Sequence, residues 1–260
     1  MDYHLSKFAV VGDPITHSKS PQIHAAFAAE FGIDLEYHAL VPDGVFDVFI
    51  ETLQQRGYVG LNITAPFKRN AYMLCEILST NAAISNSVNT LTLGPTLIGH
   101  NTDGIGLVRD LESNLGLDLS DKNVLLLGTG GAARGVFNSL GTCKRLTIAG
   151  RSLDKVLSVT NDHTARTLDT LDTPYDLIIN ATSAGLLDTK LDIPDVIFGE
   201  NCLAYDMSYG SDTEFMAQAR QCNATVVDGL GMLVEQAAES FTLWHHQRPD
   251  TSKVIEMFRK

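Results

Sequence analysis

The sequence predicts an α/β protein of two domains, each built on a mainly parallel sheet. In its first part, short apolar segments alternate with amphipathic ones. Near the middle, the apolar segment Val124–Leu127 runs directly into a cluster of glycines. Strands that alternate with helices form parallel sheets with helices on their faces. With 260 residues, the chain is long enough to bury a core in each domain.

Composition limits the classes of function. A net charge of −12 argues against nucleic acid as a partner, because phosphate backbones require a basic surface. No apolar run is long enough to span a bilayer and no signal peptide is recognisable, so we expect a cytoplasmic protein without a membrane partner. The four cysteines lack zinc-site spacing, and we expect no metal. A monomer and a homodimer both stay open.

The first domain is predicted at residues 1–103 and is completed by residues from about 235 to 260. Ser20 is expected to cap a helix that has Pro21 in its first position and ends at Gly32. The resulting βαβαβ order predicts a parallel sheet. The expected elements are strand Phe8–Val11, a helix from Ser20 to Phe31, strand Leu35–Val41, a helix from Pro42 to about Arg56, and strand Val59–Ile63.

The second domain is predicted at residues 104–234. An amphipathic helix, Met232–Trp244, is expected to return the chain to the first domain, which would place an active site in the cleft between the two. The other expected elements are a helix from about Ile105 to Leu115 and strands Asn123–Gly128, Arg145–Ala149, Asp176–Asn180 and Leu203–Asp206.

The glycine cluster predicts a phosphate-binding loop. Gly128, Gly130 and Ala133 fit the dinucleotide-binding pattern between a strand and a helix. Glycines let the backbone approach a pyrophosphate, and the helix N-terminus offers free N–H groups. The alternative is a glycine-rich turn that serves only packing.

The chain about twenty residues further on predicts which cofactor binds. Proteins that prefer NAD usually carry an acidic residue there for the ribose hydroxyl. This chain has Arg151 instead, which favours a ribose phosphate and therefore NADP. Ser152 and Lys155 could add contacts. The alternative is that these cations are solvated surface residues.

Polar residues follow two predicted strands of the first domain. Asn62, Thr64 and Lys68 come at the end of one strand, where ligands bind in open α/β sheets. A lysine at a helix start opposes the helix dipole and needs a ligand or a carboxylate partner. Ser18 and Ser20 follow another strand and suit a carboxylate. The alternatives are a surface lysine and a simple N-cap.

A second set of amides with a carboxylate suits a polyhydroxylated ligand. It consists of Asn89, in Ser87–Thr90, and Asn101 and Asp103, in Asn101–Gly104. Turn formation is the alternative, because Asn, Asp and Gly all favour turns.

The motifs together resemble the shikimate dehydrogenases. They occur in that family's order from about residue 8 to about residue 250. The resemblance implies NADPH-dependent reduction of 3-dehydroshikimate to shikimate, on a substrate domain joined to a Rossmann-like domain. The motifs are Ser18–Pro21, Asn62–Lys68, Val88–Thr90, Asn101–Gly104, Gly128–Arg134, Asn180–Ser183, Asp206–Tyr209 and Asp228–Leu233.

The resemblance also implies residue roles. Lys68 and Asp103 match the family's catalytic pair. The positions that match substrate contacts are Ser18, Ser20, Thr64, Asn89, Tyr209 and Gln236. The positions that match cofactor contacts are Gly128, Gly130, Gly131, Ala132, Arg151, Ser152, Lys155, Thr182, Gly229 and Met232. Gly150 and Lys155 depart from the family's usual Asn and Arg. These departures leave room for weaker discrimination against NAD than the family pattern implies.

Lysine carries a proton at neutral pH, so Lys68 can act as an acid when the ketone is reduced. Three roles stay open for Asp103: orienting Lys68, relaying the proton, or holding a substrate hydroxyl. Three alternative functions also stay open: a quinate/shikimate dehydrogenase, a non-catalytic NADP-binding sensor, and a methylene-tetrahydrofolate dehydrogenase.

Overall fold

A computed structural model gives the structure of the protein and describes residues 6–160, 164–182, 184 and 190–259. The chain divides into two compact units. Unit 1 is the chain up to Gly106 and from Val234 onward, and unit 2 is Leu107–Leu233. The predicted α/β class with mainly parallel sheets is confirmed.

The strands are β1 (Ser6–Val11), β2 (Leu35–Leu40), β3 (Tyr58–Ile63), β4 (Ile77–Leu78), β5 (Thr90–Thr92), β6 (Ile98–His100), β7 (Asn123–Leu127), β8 (Arg145–Gly150), β9 (Ala165–Thr167), β10 (Tyr175–Asn180), β11 (Phe198–Asp206) and β12 (Thr225–Val227). The helices are α1 (Ser20–Phe31), α2 (Phe46–Gln55), α3 (Lys68–Leu74), α4 (Thr80–Ser85), α5 (Asp103–Arg109), α6 (Gly131–Phe137), α7 (Leu153–Leu157), α8 (Glu214–Gln221), α9 (Leu230–His245) and α10 (Thr251–Arg259). Among the described residues, none of these helices has the length and apolarity that crossing a bilayer requires.

The sheet of unit 1 has the strand order β2-β1-β3-β5-β6-β4. Strand β1 pairs in parallel with β2 and β3, as the βαβαβ pattern predicts, while β5 runs antiparallel to β3. Successive side chains of a strand point to opposite faces. Accordingly, Ala9 and Val11 pack in the core cluster that contains helix α2, whereas Phe8 packs against Trp244 of α9. Both faces of this sheet are therefore covered.

The sheet of unit 2 is fully parallel, with the order β12-β11-β10-β7-β8-β9. The chain leaves β7 toward β8 and later returns to β10 on the other side of β7. Leu127 pairs with Asn180, so the ends of β7 and β10 lie side by side. This is a topological switch point, the place where open parallel sheets bind ligands. The glycine loop follows β7 directly at this point.

Several predicted boundaries were wrong. Helix α1 has the predicted range Ser20–Phe31, but its N-cap is Lys19 rather than Ser20, whose hydroxyl bonds to Tyr37 instead. The second helix begins at Phe46, four residues after Pro42. A π-helical segment, Asp110–Asn114, ends the helix that had been expected to run from Ile105 to Leu115. Strand β11 is longer than expected.

Candidate active site

The ends of α3 and α5 bring together Lys68 and Asp103, the first residues of these two helices. The Lys68 Nζ atom lies 2.5 Å from Oδ2 of Asp103. Asp103 is 5% exposed, and the Lys68 side chain is partly exposed. The sequence indicated that a lysine at a helix start needs a ligand or a carboxylate partner, and Asp103 is such a carboxylate. The pair therefore offers a proton-bearing group, held in place and reachable from solvent.

Asn89 holds the other oxygen of Asp103. The backbone N–H of Thr102 lies 2.9 Å from Oδ1 of Asn89, and a backbone N–H can only donate. This fixes the orientation of the amide, so that Nδ2 of Asn89 donates to Oδ1 of Asp103 at 2.8 Å. The same Nδ2 lies 3.3 Å from Oε1 of Gln236. Four residues predicted as site residues therefore form one hydrogen-bonded group in unit 1.

A buried polar chain continues from this group, and it was not foreseen from the sequence. Asn62 had been expected to face a ligand, but its side chain is 5% exposed and is bonded within the protein. Its Oδ1 accepts from the Tyr37 hydroxyl at 2.7 Å, and its Nδ2 donates to Ser240 at 2.9 Å and to Thr90 at 3.2 Å. Thr90 in turn donates to Asn89 at 3.0 Å. A hydroxyl at Ser240, one turn after Gln236 in a mostly apolar helix, was the available signal.

The serine pair lies at the loop after β1. Ser18 is partly exposed and accepts the N–H of Ser20 at 3.3 Å, which leaves its hydroxyl proton for another acceptor. Ser20 is 5% exposed. Burial raises the pKa of Tyr37 well above its usual value, and a hydrogen bond from Ser20 opposes this shift. The polar chain therefore joins Ser20 to the Lys68–Asp103 pair.

Three other predicted residues have different surroundings. Thr64 is partly exposed beside Gly12, and its N–H donates to Val11 at 2.9 Å. Asn101 is bonded within the protein, because its Nδ2 donates to Ser85 and to the Ser87 carbonyl while its Oδ1 accepts the N–H of Asp103. Tyr209 belongs to unit 2, in the loop after β11, and is partly exposed.

The loop after β7 has room for phosphate groups. Gly128 has φ +118°, and a Cβ there would lie 2.9 Å from the Ala181 carbonyl oxygen, so this position requires glycine. Gly130 and Gly131 have open space where a Cβ would stand. Ala132 is partly buried, next to these two exposed glycines. This loop fits a dinucleotide pyrophosphate.

The chain after β8 presents the predicted ribose-phosphate contacts. Arg151 and Lys155 are exposed, and Ser152 is the N-cap of α7 without a side-chain capping bond. The Arg134 guanidinium donates to Ser158 at the end of α7 through both NH groups, at 2.8 and 2.6 Å. A side chain at Gly150 would press on the Thr129 methyl group at 3.0 Å. The two exposed cations and the free hydroxyl fit a ribose phosphate.

The remaining predicted cofactor residues lie near β10 and β11. Thr182 donates to Oδ1 of Asn180 at 2.7 Å, while Ser183, the last residue of that motif, lies outside the described residues. Gly229 packs against the Met207 backbone. Met232 is 6% exposed within a core cluster. In the described part of the chain, no group of His, Cys, Asp and Glu side chains could hold a metal ion.

The chain matches three family models. The shikimate dehydrogenase substrate-binding domain matches residues 10–91, and the shikimate / quinate 5-dehydrogenase model matches residues 110–200. The shikimate 5'-dehydrogenase C-terminal domain matches residues 229–256. The NADP(+) shikimate dehydrogenase of Methylobacillus flagellatus is 46% identical, over 98% of this chain and 99% of the relative.

Solved structures share the fold over almost the whole chain. An Ael1 enzyme from Pseudomonas putida superposes with a TM-score of 0.91, at 39% identity, over 97% of each chain. Shikimate 5-dehydrogenase from Thermus thermophilus, in complex with NADP(H) and shikimate, superposes with a TM-score of 0.86. Its identity is 29%, over 98% of this chain and 99% of that one.

Proposed function

Because the chain belongs to the shikimate dehydrogenase family, we propose that it catalyses the reversible, NADPH-dependent reduction of 3-dehydroshikimate to shikimate. This reaction is a step of the shikimate pathway of aromatic biosynthesis. The observation that carries the proposal is the Lys68–Asp103 pair, which Asn89 and Gln236 complete in unit 1. A binding protein without catalysis has no need of such a pair.

In the reducing direction, Lys68 donates a proton to the carbonyl oxygen of the substrate as this oxygen gains negative charge. Asp103 orients the ammonium group through Oδ2, and Asn89 fixes Asp103 through Oδ1. In the oxidising direction, Lys68 takes the proton from the substrate hydroxyl. Of the three roles open for Asp103, this arrangement supports the orienting one.

The other proposed substrate contacts come from both units. We assign the substrate carboxylate to Ser18 and Ser20, whose hydroxyls follow β1. Thr64, Asn89 and Gln236 contact the substrate hydroxyl groups or the carboxylate. Tyr209 contributes from unit 2. Shikimate carries one carboxylate and several hydroxyls, and this donor set matches that chemistry.

Unit 2 holds the cofactor in the same proposal. Its pyrophosphate binds at Gly128, Gly130, Gly131 and Ala132, and its ribose phosphate binds at Arg151, Ser152 and Lys155. Thr182, Gly229 and Met232 complete the site. When bound, NADPH supplies the hydride that the ketone accepts.

We further propose that the protein is cytoplasmic, which cell fractionation would test. We also propose that it is a monomer or a homodimer, which sedimentation velocity would test.

Turnover tests the function directly. With shikimate as the substrate, we expect a higher kcat/KM for NADP than for NAD. Lys68→Ala should lower kcat by roughly 10²- to 10⁴-fold, the usual contribution of a positioned acid or base, with shikimate binding by calorimetry retained. Lys122→Ala, which removes a surface lysine beside Asp121, is the matched control and should keep normal turnover. Near-normal kcat in Lys68→Ala would contradict the proposed role of this residue.

Quinate is the alternative substrate, because one matched family model covers shikimate and quinate dehydrogenases together. The two substrates should be compared with NADP and NAD under the same conditions. Equal kcat/KM values for both acids would assign the broader activity to this chain.

A further inference from the structure

Helices α5 and α9 contact each other closely at Gly106 and Gln236. A Cβ on Gly106 would lie 2.7 Å from both the backbone nitrogen and the Cβ of Gln236, and 2.9 Å from its Cα. Two of these atoms belong to the backbone, so rotating a side chain cannot relieve the clash. Gly106 follows Asp103 by one helical turn on α5. The contact therefore sets how near Gln236 lies to the helix that carries Asp103.

Ser240 anchors the same segment of α9, one helical turn after Gln236. It is fully buried, and its hydroxyl lies 2.8 Å from Oγ1 of Thr90 and accepts from Asn62 at 2.9 Å. Its Oγ also lies 3.1 Å from the Gln236 carbonyl oxygen. These hydrogen bonds to Asn62 of β3 and Thr90 of β5 fix the position of α9 along the sheet.

We propose that Gly106 and Ser240 are positioning residues, which place the Gln236 side chain beside Asn89 for substrate binding. This inference rests on the proposed function. Asn89 donates both to Gln236 at 3.3 Å and to Asp103 at 2.8 Å. A shift of Gln236 therefore changes its distance from the Asn89 amide, which also holds the Asp103 carboxylate.

The displacement that Gly106→Ala would cause is large on the scale of an active site. Carbon atoms pack best at about 3.5 Å. An alanine Cβ at position 106 would lie 2.7 Å from the Gln236 Cβ, so the two helices would have to shift by roughly 0.8 Å. Binding groups must be held within about 0.5 Å of their productive geometry. Since a misplacement of about 1 Å can cost up to about 10²-fold, we expect a loss of about tenfold.

The test is a double-mutant cycle in the NADP reduction assay with shikimate. Gly106→Ala should raise the KM for shikimate about tenfold and change the KM for NADP less than about twofold. In a Gln236→Ala background, the same substitution should change the KM for shikimate less than about twofold, because the side chain it displaces is gone. Ser240→Ala, which removes only a hydroxyl, should raise the KM for shikimate about threefold and show the same coupling.

Gly199→Ala is the matched control. A Cβ there would lie 2.9 Å from the Tyr175 carbonyl oxygen in unit 2, so the change should lower Tm and leave both KM values unchanged. Equal effects of Gly106→Ala with and without Gln236 would overturn the inference while wild-type turnover stands. If Gly106→Ala does not fold, the Ser240–Gln236 cycle decides in the same way. A wild-type protein without shikimate turnover would overturn the proposed function and, with it, this inference.

Discussion

Removal of His24 should make unit 1 markedly less sensitive to acid. His24 lies on α1, is 1% exposed, and stacks on Tyr37 with ring centroids 4.3 Å apart. Among the described residues, neither ring nitrogen has a hydrogen-bond partner of good geometry. Burial, together with the nearby His245, lowers the pKa of His24 from 6.5 to about 3. The folded protein therefore keeps this ring neutral.

The sign and size follow from that shift. Well above pH 6.5 the ring is neutral in both states and contributes nothing to the pH dependence. As the pH falls from 6.5 toward 3, the unfolded chain binds a proton that the folded chain refuses, so stability is lost. At pH 5 the loss is about 2 kcal/mol, because 1.5 units below the unfolded pKa correspond to about 1.4 kcal/mol each. The folded pKa lies far enough below pH 5 to leave this figure unaffected.

The assay can follow unit 1 alone. The chain has one tryptophan, Trp244, whose ring lies 5.5 Å from that of His24. Urea unfolding followed by its fluorescence at pH 7.5 and pH 5 gives the stability difference. His24→Phe keeps a ring on Tyr37 and should reduce the loss between these pH values by about 2 kcal/mol. His17→Gln, at an exposed histidine, should retain the wild-type loss. An equal loss in His24→Phe and wild type would refute the reasoning.

Three further predictions concern unit 2. Gly128→Ala should lower the free energy of unfolding of unit 2 by about 2 kcal/mol or more and weaken NADP binding, because φ is +118° and the Ala181 carbonyl oxygen is close. Urea unfolding measures the loss of stability, and calorimetry measures NADP binding. Arg151→Ala should raise the KM for NADP roughly 10- to 100-fold, because it removes a charge-assisted hydrogen bond to the ribose phosphate. The KM for NAD should stay nearly unchanged, and an equal rise for both cofactors would contradict the ribose-phosphate contact. Cys202 should react with iodoacetamide at pH 8 only after unfolding, because burial raises the pKa of its thiol to about 11; labelling of native protein, detected by mass spectrometry, would contradict this.

Local sequence chemistry determined the element types and most of the candidate site. The apolar runs of β1, β3 and β7 and the glycine stop of α1 depend on neighbouring residues, so a single sequence reveals them. The requirement of Lys68 for a ligand or a carboxylate partner follows from the helix dipole in the same way. The family motifs then identified Asp103 as this partner, as the structure shows. The cap of α1 was less predictable, because the Ser20 hydroxyl bonds to Tyr37 of β2, a partner that the local sequence does not reveal.

Only the tertiary structure decided which polar side chains are buried and hydrogen-bonded within the protein. Asn62 reads from the sequence as a ligand contact, yet Tyr37, Thr90 and Ser240 satisfy its amide, and these four residues come from four elements far apart in the chain. The same holds for Gly106, whose missing side chain matters because the Gln236 backbone lies where a Cβ would be. Sequence patterns record the local conformation of each residue. Hydrogen-bond satisfaction and close packing depend on partners that only the folded chain brings together.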